Sequence, residues 1–187
     1  MSLLLAFLPF IVFAVADGFV GPTVALFLAA LVSFVLLLRD WFILGKVPKI
    51  LDIGTTILFG GLSLYVLFGG ATGSIFAVRL AVDAGLLAIV LISIAIRRPF
   101  TLQYAREQVS REFWDHPVFI RTNYIITSVW ALAFTMMAAA DALLLYAPDV
   151  PAQVGIVATI AALVASIRFT GWYPKRARQR AAEQAAE

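Results

Sequence analysis

Apolar residues run through this chain in long blocks, at about 2–16, 21–38, 53–68, 74–96, 122–146 and 151–169, with short polar stretches between them. Most of these blocks approach or exceed the roughly 18 to 20 helical residues that cross a bilayer core of ~30 Å at ~1.5 Å per residue. The pattern predicts an all-α, polytopic membrane protein of about six transmembrane helices in three hairpins. Pro22 and Pro151 stand near helix starts, Gly69, Gly70 and Gly73 in a tight turn, and Pro99 and Pro174 after helix ends, as expected of residues that begin or stop helices. The first block is short and contains Pro9, and Ala14-Val15-Ala16 ahead of Asp17 resembles a signal-peptidase site. Met1-Ser2-Leu3 lacks the basic residues of a signal peptide, which favours a retained, kinked or tilted helix.

One polar stretch has a periodicity of its own. Between the fourth and fifth blocks, Leu102, Ala105, Val109 and Phe113 fall on one helical face, and Gln103, Arg106, Glu107, Ser110 and Arg111 on the other. This predicts an amphipathic helix over about 101–115 lying in the membrane interface, with a Glu107 to Arg111 pair one turn apart and Trp114 near its end. Residues 1–174 form one transmembrane domain on this reading, followed by a basic, polar tail over 175–187.

Composition agrees with the pattern. Of 187 residues 63% are hydrophobic and 13% charged, and the mean hydropathy is +0.98, too few polar residues to cover a water-soluble domain. Thirteen of the fourteen Lys and Arg lie in three stretches: Arg39 to Lys49, Arg97 to Arg121, and Arg168 to Arg180. The intervening turns, near Asp17 to Gly21, Gly69 to Gly73 and Ala147 to Pro151, contain none. The positive-inside rule places the basic stretches and both termini in the cytoplasm. Trp41, Trp114 and Trp172 beside these stretches fit an interfacial aromatic belt. The basic charge therefore follows the membrane boundary and does not call for nucleic acid. With no cysteine and His116 as the one histidine, neither a thiolate nucleophile nor a protein-held metal site is expected. Cofactor motifs and zinc, phosphate-loop and nucleophile-elbow signatures are absent from the sequence, so an enzyme is not expected.

Ionisable groups inside spans carry the strongest functional signal, because each is costly in lipid unless paired or hydrated. Arg79 lies about 7 to 8 Å in from the Ser74 end of its span, Asp83 about 13 to 14 Å in, and Asp141 at a depth like that of Arg79 on the fifth span. Two arrangements suit these three: a buried clasp joining the fourth and fifth spans, or an outward-opening polar cavity for an ion, proton or anionic group. Arg97, Arg98, Arg106 and Arg111 are candidate contacts for anionic lipid headgroups. Gly60 and Gly61, with Gly155 and Ala162, are small residues of the kind that let helices pack closely in lipid.

Several of these residues also stand in an order seen elsewhere. Phe7-Leu8-Pro9 with Val12-Phe13, Phe59-Gly60-Gly61-Leu62-Ser63-Leu64, Arg97-Arg98-Pro99, and Trp130-Ala131 followed by Asp141 resemble the intracellular septation protein A family of bacterial inner-membrane proteins. Two departures are Asp141, where that pattern tends to carry Asn, and a longer, more charged linker over 101–117. The resemblance implies a non-enzymatic role in septation or envelope maintenance, through contacts with envelope or division proteins or a second copy. A small transporter or channel using Arg79, Asp83 and Asp141 is the alternative, and a lipid-handling protein a third.

Overall fold

A computed structural model describes residues 3–69, 74–147 and 149–186. The expected turn at Gly70 and Gly73, and the beginning of the first block at Ser2, lie outside the described residues. Among the described residues the fold is all-α, with five helices long and apolar enough to cross a membrane. In chain order the described elements are α1 (Leu3–Ala6), α2 (Leu8–Leu38), a π-helical turn (Arg39–Ile43), α3 (Ile50–Leu67), α4 (Ile75–Ala95), α5 (Phe100–Arg106), a 3-10 turn (Arg111–Phe113), α6 (Pro117–Tyr146) and α7 (Ala152–Ala186).

The first two apolar blocks share α2, but the element is not straight. Gly21 has φ 79° and ψ 166°, outside the helical region, a conformation glycine adopts without the clash a side chain would bring, and Pro22 follows it. Ala6 and Pro9 line the same small void as Ser33 and Leu36. Along a straight helix Pro9 and Ser33 would stand about 36 Å apart, so residues 8–20 and 22–38 are two arms lying side by side. Phe10 and Phe13 of the first arm pack on Phe59 of α3, with ring centroids 5.0 and 5.8 Å away. Ala25, Leu26 and Ala29 of the second arm join the same cluster.

Close approach of α3 and α4 is set by glycines that the sequence reading passed over. A Cβ on Gly54 would meet the side chain of Ile89 at 2.8 Å, and one on Gly85 would run into Leu58. The two contacts share one antiparallel register, a bulky residue of each helix filling the gap left by a glycine of the other, as in close packing within membranes. Gly60 and Gly61, expected to be packing positions, meet no other helix: beyond their own stretch of α3, no atom lies within 4 Å of where their Cβ atoms would stand. Gly155 abuts Leu144 of α6, and Ala162 is buried in the larger core cluster. That core centres on Trp130, whose ring stacks on Phe7 at 4.8 Å and whose indole N–H donates to Thr170 Oγ1 at 3.0 Å, tying α6 to α7.

Three boundaries differ from expectation. The amphipathic helix ends at Arg106, and its Phe100, Thr101, Leu102 and Tyr104 are buried, so this segment is wedged into the bundle instead of lying on its surface. α6 begins at Pro117, where His116 Nδ1 accepts from the Val118 N–H. α7 passes through Pro174 to Ala186, so the basic tail is helical, in keeping with the Ala, Arg, Gln and Glu that compose it. At the end of α4, Arg97 takes φ 58° while the N–H of Arg98 donates to the Ser93 carbonyl and that of Arg97 to Ile94. This is a Schellman stop with arginine where glycine is usual. Arg97→Gly is expected to stabilise the fold by about 0.5–1 kcal/mol through relief of the left-handed backbone, seen as a higher thermal midpoint in detergent.

Candidate functional site

The intramembrane charges meet. Arg79 stands one turn inside the start of α4, where the Ser74 hydroxyl caps the helix by accepting from the Phe76 N–H at 3.2 Å. Its Nε lies 3.5 Å from Asp141 Oδ1 on α6. Asp141 is 1% exposed and Asp83 9%, and the two carboxyl groups lie within electrostatic reach of each other. Among the described residues, no hydrogen bond of regular geometry reaches either oxygen of Asp141, so the arginine charge is its main compensation. Asp17, at the tip of the first arm of α2, is within electrostatic reach of the same guanidinium. The geometry is that of a sealed carboxylate on α6 facing a partly exposed arginine of α4.

A second polar cluster lies at the other end of the bundle, around α5. Lys49 is 5% exposed; its Nζ stands 2.8 Å from Glu107 Oε1, an ion pair at contact distance but outside regular hydrogen-bond geometry. The same ammonium lies 4.8 Å from the centre of the Tyr104 ring, a cation–π contact. Lys46 reaches Glu107 Oε2 at 3.5 Å. The Tyr104 hydroxyl donates to Asp52 Oδ1 at 2.7 Å, and Gln103 Oε1 accepts the Ile50 N–H, an otherwise free donor at the start of α3, at 2.9 Å. Burial first, and then the Asp52 carboxylate, push the Tyr104 phenol well above its ordinary range, so it acts as a fixed donor. Partial burial alone would raise Glu107, but its contact with Lys49 outweighs this and holds the carboxyl at about 2.

The anticipated Glu107 to Arg111 pair is therefore replaced by one with Lys49 and Lys46, because the helix that would have aligned them stops at Arg106. Arg106 and Arg111 instead flank the Trp114 ring at 5.4 and 5.6 Å, and Arg106 reaches Asp115 at 3.6 Å. Trp114 also donates its N–H to the carbonyls of Arg106 and Val109, so it closes the turn after α5, whereas Trp41 and Trp172 are exposed. Of the candidate headgroup contacts, Arg97, Arg98 and Arg111 are exposed. Asp40, 3% exposed and bound by Arg39 Nη2 at 2.7 Å, was missed. An acid beside a basic residue at a span boundary was the available signal.

The chain matches no protein-family model, no curated protein and no solved structure.

Proposed function

We propose that this protein is a non-enzymatic scaffold of the bacterial inner membrane, of the septation-associated type its sequence resembles, acting by binding a partner through its helices. It crosses six times, the two arms of α2 counting as separate spans, with both termini in the cytoplasm. The distribution of basic residues supports this orientation, and the fold-back at Gly21 supports the count. The observation that carries the partner-binding role is the face of α3 around Gly60 and Gly61. These glycines have no neighbour where a side chain would stand, and Ile57, Leu64 and Tyr65 around them are exposed. Small residues flanked by large apolar ones are a surface on which a second helix can pack closely.

The test places a photocrosslinking amino acid at Leu64 in native membranes. A discrete adduct is expected, identified by mass as an envelope protein or a second copy, and Gly61→Leu should remove it. The same substitution should not lower thermal stability, because no other helix lies within 4 Å of where the Cβ would stand and leucine is the better helix former. No adduct, or one indifferent to Gly61→Leu, would refute the proposal. Ion flux in proteoliposomes that disappears in Asp83→Asn would replace it with the channel reading.

A further inference from the structure

A cavity of about 720 Å³ lies between α5, the turn that follows it, the start of α6 and the distal part of α7. Its size is that of sites which enclose a small ligand, roughly 300–1,000 Å³. It stands apart from the Arg79 cluster, and its polar groups divide into two kinds.

Those on the α5, α6 and α7 walls already have partners within the protein. Thr101 donates to the Asn123 carbonyl at 3.0 Å, Thr170 to the Ser166 carbonyl at 2.8 Å, and Tyr104 to Asp52. They ask nothing of a ligand, and Val118, Phe119 and Ile126 beside them present apolar surface, which is favourably covered by a hydrocarbon chain.

Of the remaining groups, Gln108 can both donate and accept, Ser110 donates to Glu112, and the other two are donors. Arg178 carries a permanent positive charge and no acceptor, and no ion pair engages it among the described residues. His116 uses Nδ1 to accept from Val118, which leaves Nε2 as the N–H of the neutral ring. No carboxylate is among the described residues that line the cavity.

We infer that this cavity binds an anionic lipid, its charged headgroup meeting Arg178 and His116 and one acyl chain lying along Val118, Phe119 and Ile126. Such a ligand enters from the leaflet at the basic end of the bundle, so the inference rests on the membrane placement proposed above. It adds a bound lipid to that reading and places the headgroup on residues other than the exposed Arg97 and Arg98.

The full chain, purified in mild detergent, is offered phosphatidylglycerol, phosphatidylcholine or inorganic phosphate, and native mass spectrometry reads what it retains. One phosphatidylglycerol per chain is expected, preferred over phosphatidylcholine by about fivefold, the effect of one basic residue near an anionic headgroup. Arg178→Gln should remove this preference. Gln108→Trp, made at an exposed lining position, should fill the cavity and reduce retention of both lipids, with helix content and thermal midpoint unchanged. Equal retention of the two lipids by the native chain, or retention indifferent to Gln108→Trp, would overturn the inference. Displacement of the lipid by equimolar inorganic phosphate would also do so, since the anion alone would then suffice. Failure of the membrane placement would appear separately, as a chain that purifies without detergent.

Discussion

Arg79→Ala is expected to be strongly destabilising. It leaves Asp141, 1% exposed and without a regular hydrogen bond to either oxygen, next to the buried Asp83 with no cation on the neighbouring helix. Removing one partner of a buried pair typically costs 3–5 kcal/mol because the other charge stays desolvated. Arg79 is itself 28% exposed and its contact is long, so the lower end, about 3 kcal/mol, is the appropriate figure. In a chain of this size that lowers the thermal midpoint by on the order of 10 °C. The burial asymmetry gives the prediction its shape. Asp141→Asn removes the sealed charge and leaves an arginine that water or headgroups can reach, so it should cost well under half as much. Arg79→Ala combined with Asp141→Asn should recover most of the single-mutant loss. Thermal unfolding of the three variants in detergent, read as a double-mutant cycle, decides it. Equal losses in both single variants, with no recovery in the double, would mean the pair does not join α4 to α6.

How much of this was legible in the sequence depends on the range of the interaction. The helices follow from hydropathy, and the doubling of α2 was legible because Asp17, Gly21 and Pro22 interrupt an otherwise continuous apolar run. Arg79, Asp83 and Asp141 could be brought together because depth along a span is nearly a linear function of residue number, so charges of similar depth on adjacent helices tend to meet. The cluster at the other end follows no such rule. Lys49 with Glu107, and Asp52 with Tyr104, join residues more than fifty positions apart, through a loop whose path depends on where α5 stops. The 3.6-residue periodicity of 101–115 was present, but it described a buried wedge and a Trp114-closed turn, which hydropathy does not separate from a surface helix. The packing glycines failed differently. Gly60-Gly61 attracts notice as a doublet, whereas Gly54 and Gly85 act only in combination, each opposite a bulky residue that stands four positions from the other glycine in an antiparallel register.

The same burial reasoning gives the second large effect, at the Lys49 cluster, with the opposite partner as the critical one. Here the cation is sealed, 5% exposed, while the Glu107 side chain is 29% exposed. Glu107→Gln is therefore expected to destabilise more than Lys49→Met. The first strands a buried ammonium over Tyr104; the second substitutes an apolar chain of similar length and leaves Glu107 near Lys46 and water. With Asp52 still nearby, the cost of Glu107→Gln should fall below that of a fully sealed pair, on the order of 2 kcal/mol at neutral pH, and Lys49→Met should be within about 1. Acid supplies an independent check. Glu107 sits at about 2, below its ordinary 4.5, so protons bind it more readily in the unfolded chain than in the folded one. Its contribution is then fully present above about pH 4.5 and declines as the pH falls toward 2. Stability curves of the native chain and Glu107→Gln, measured in detergent from pH 7 downward, should run parallel above pH 5 and converge between about 4.5 and 2. A constant gap across that window would show that the carboxylate charge does not hold α5 to the start of α3.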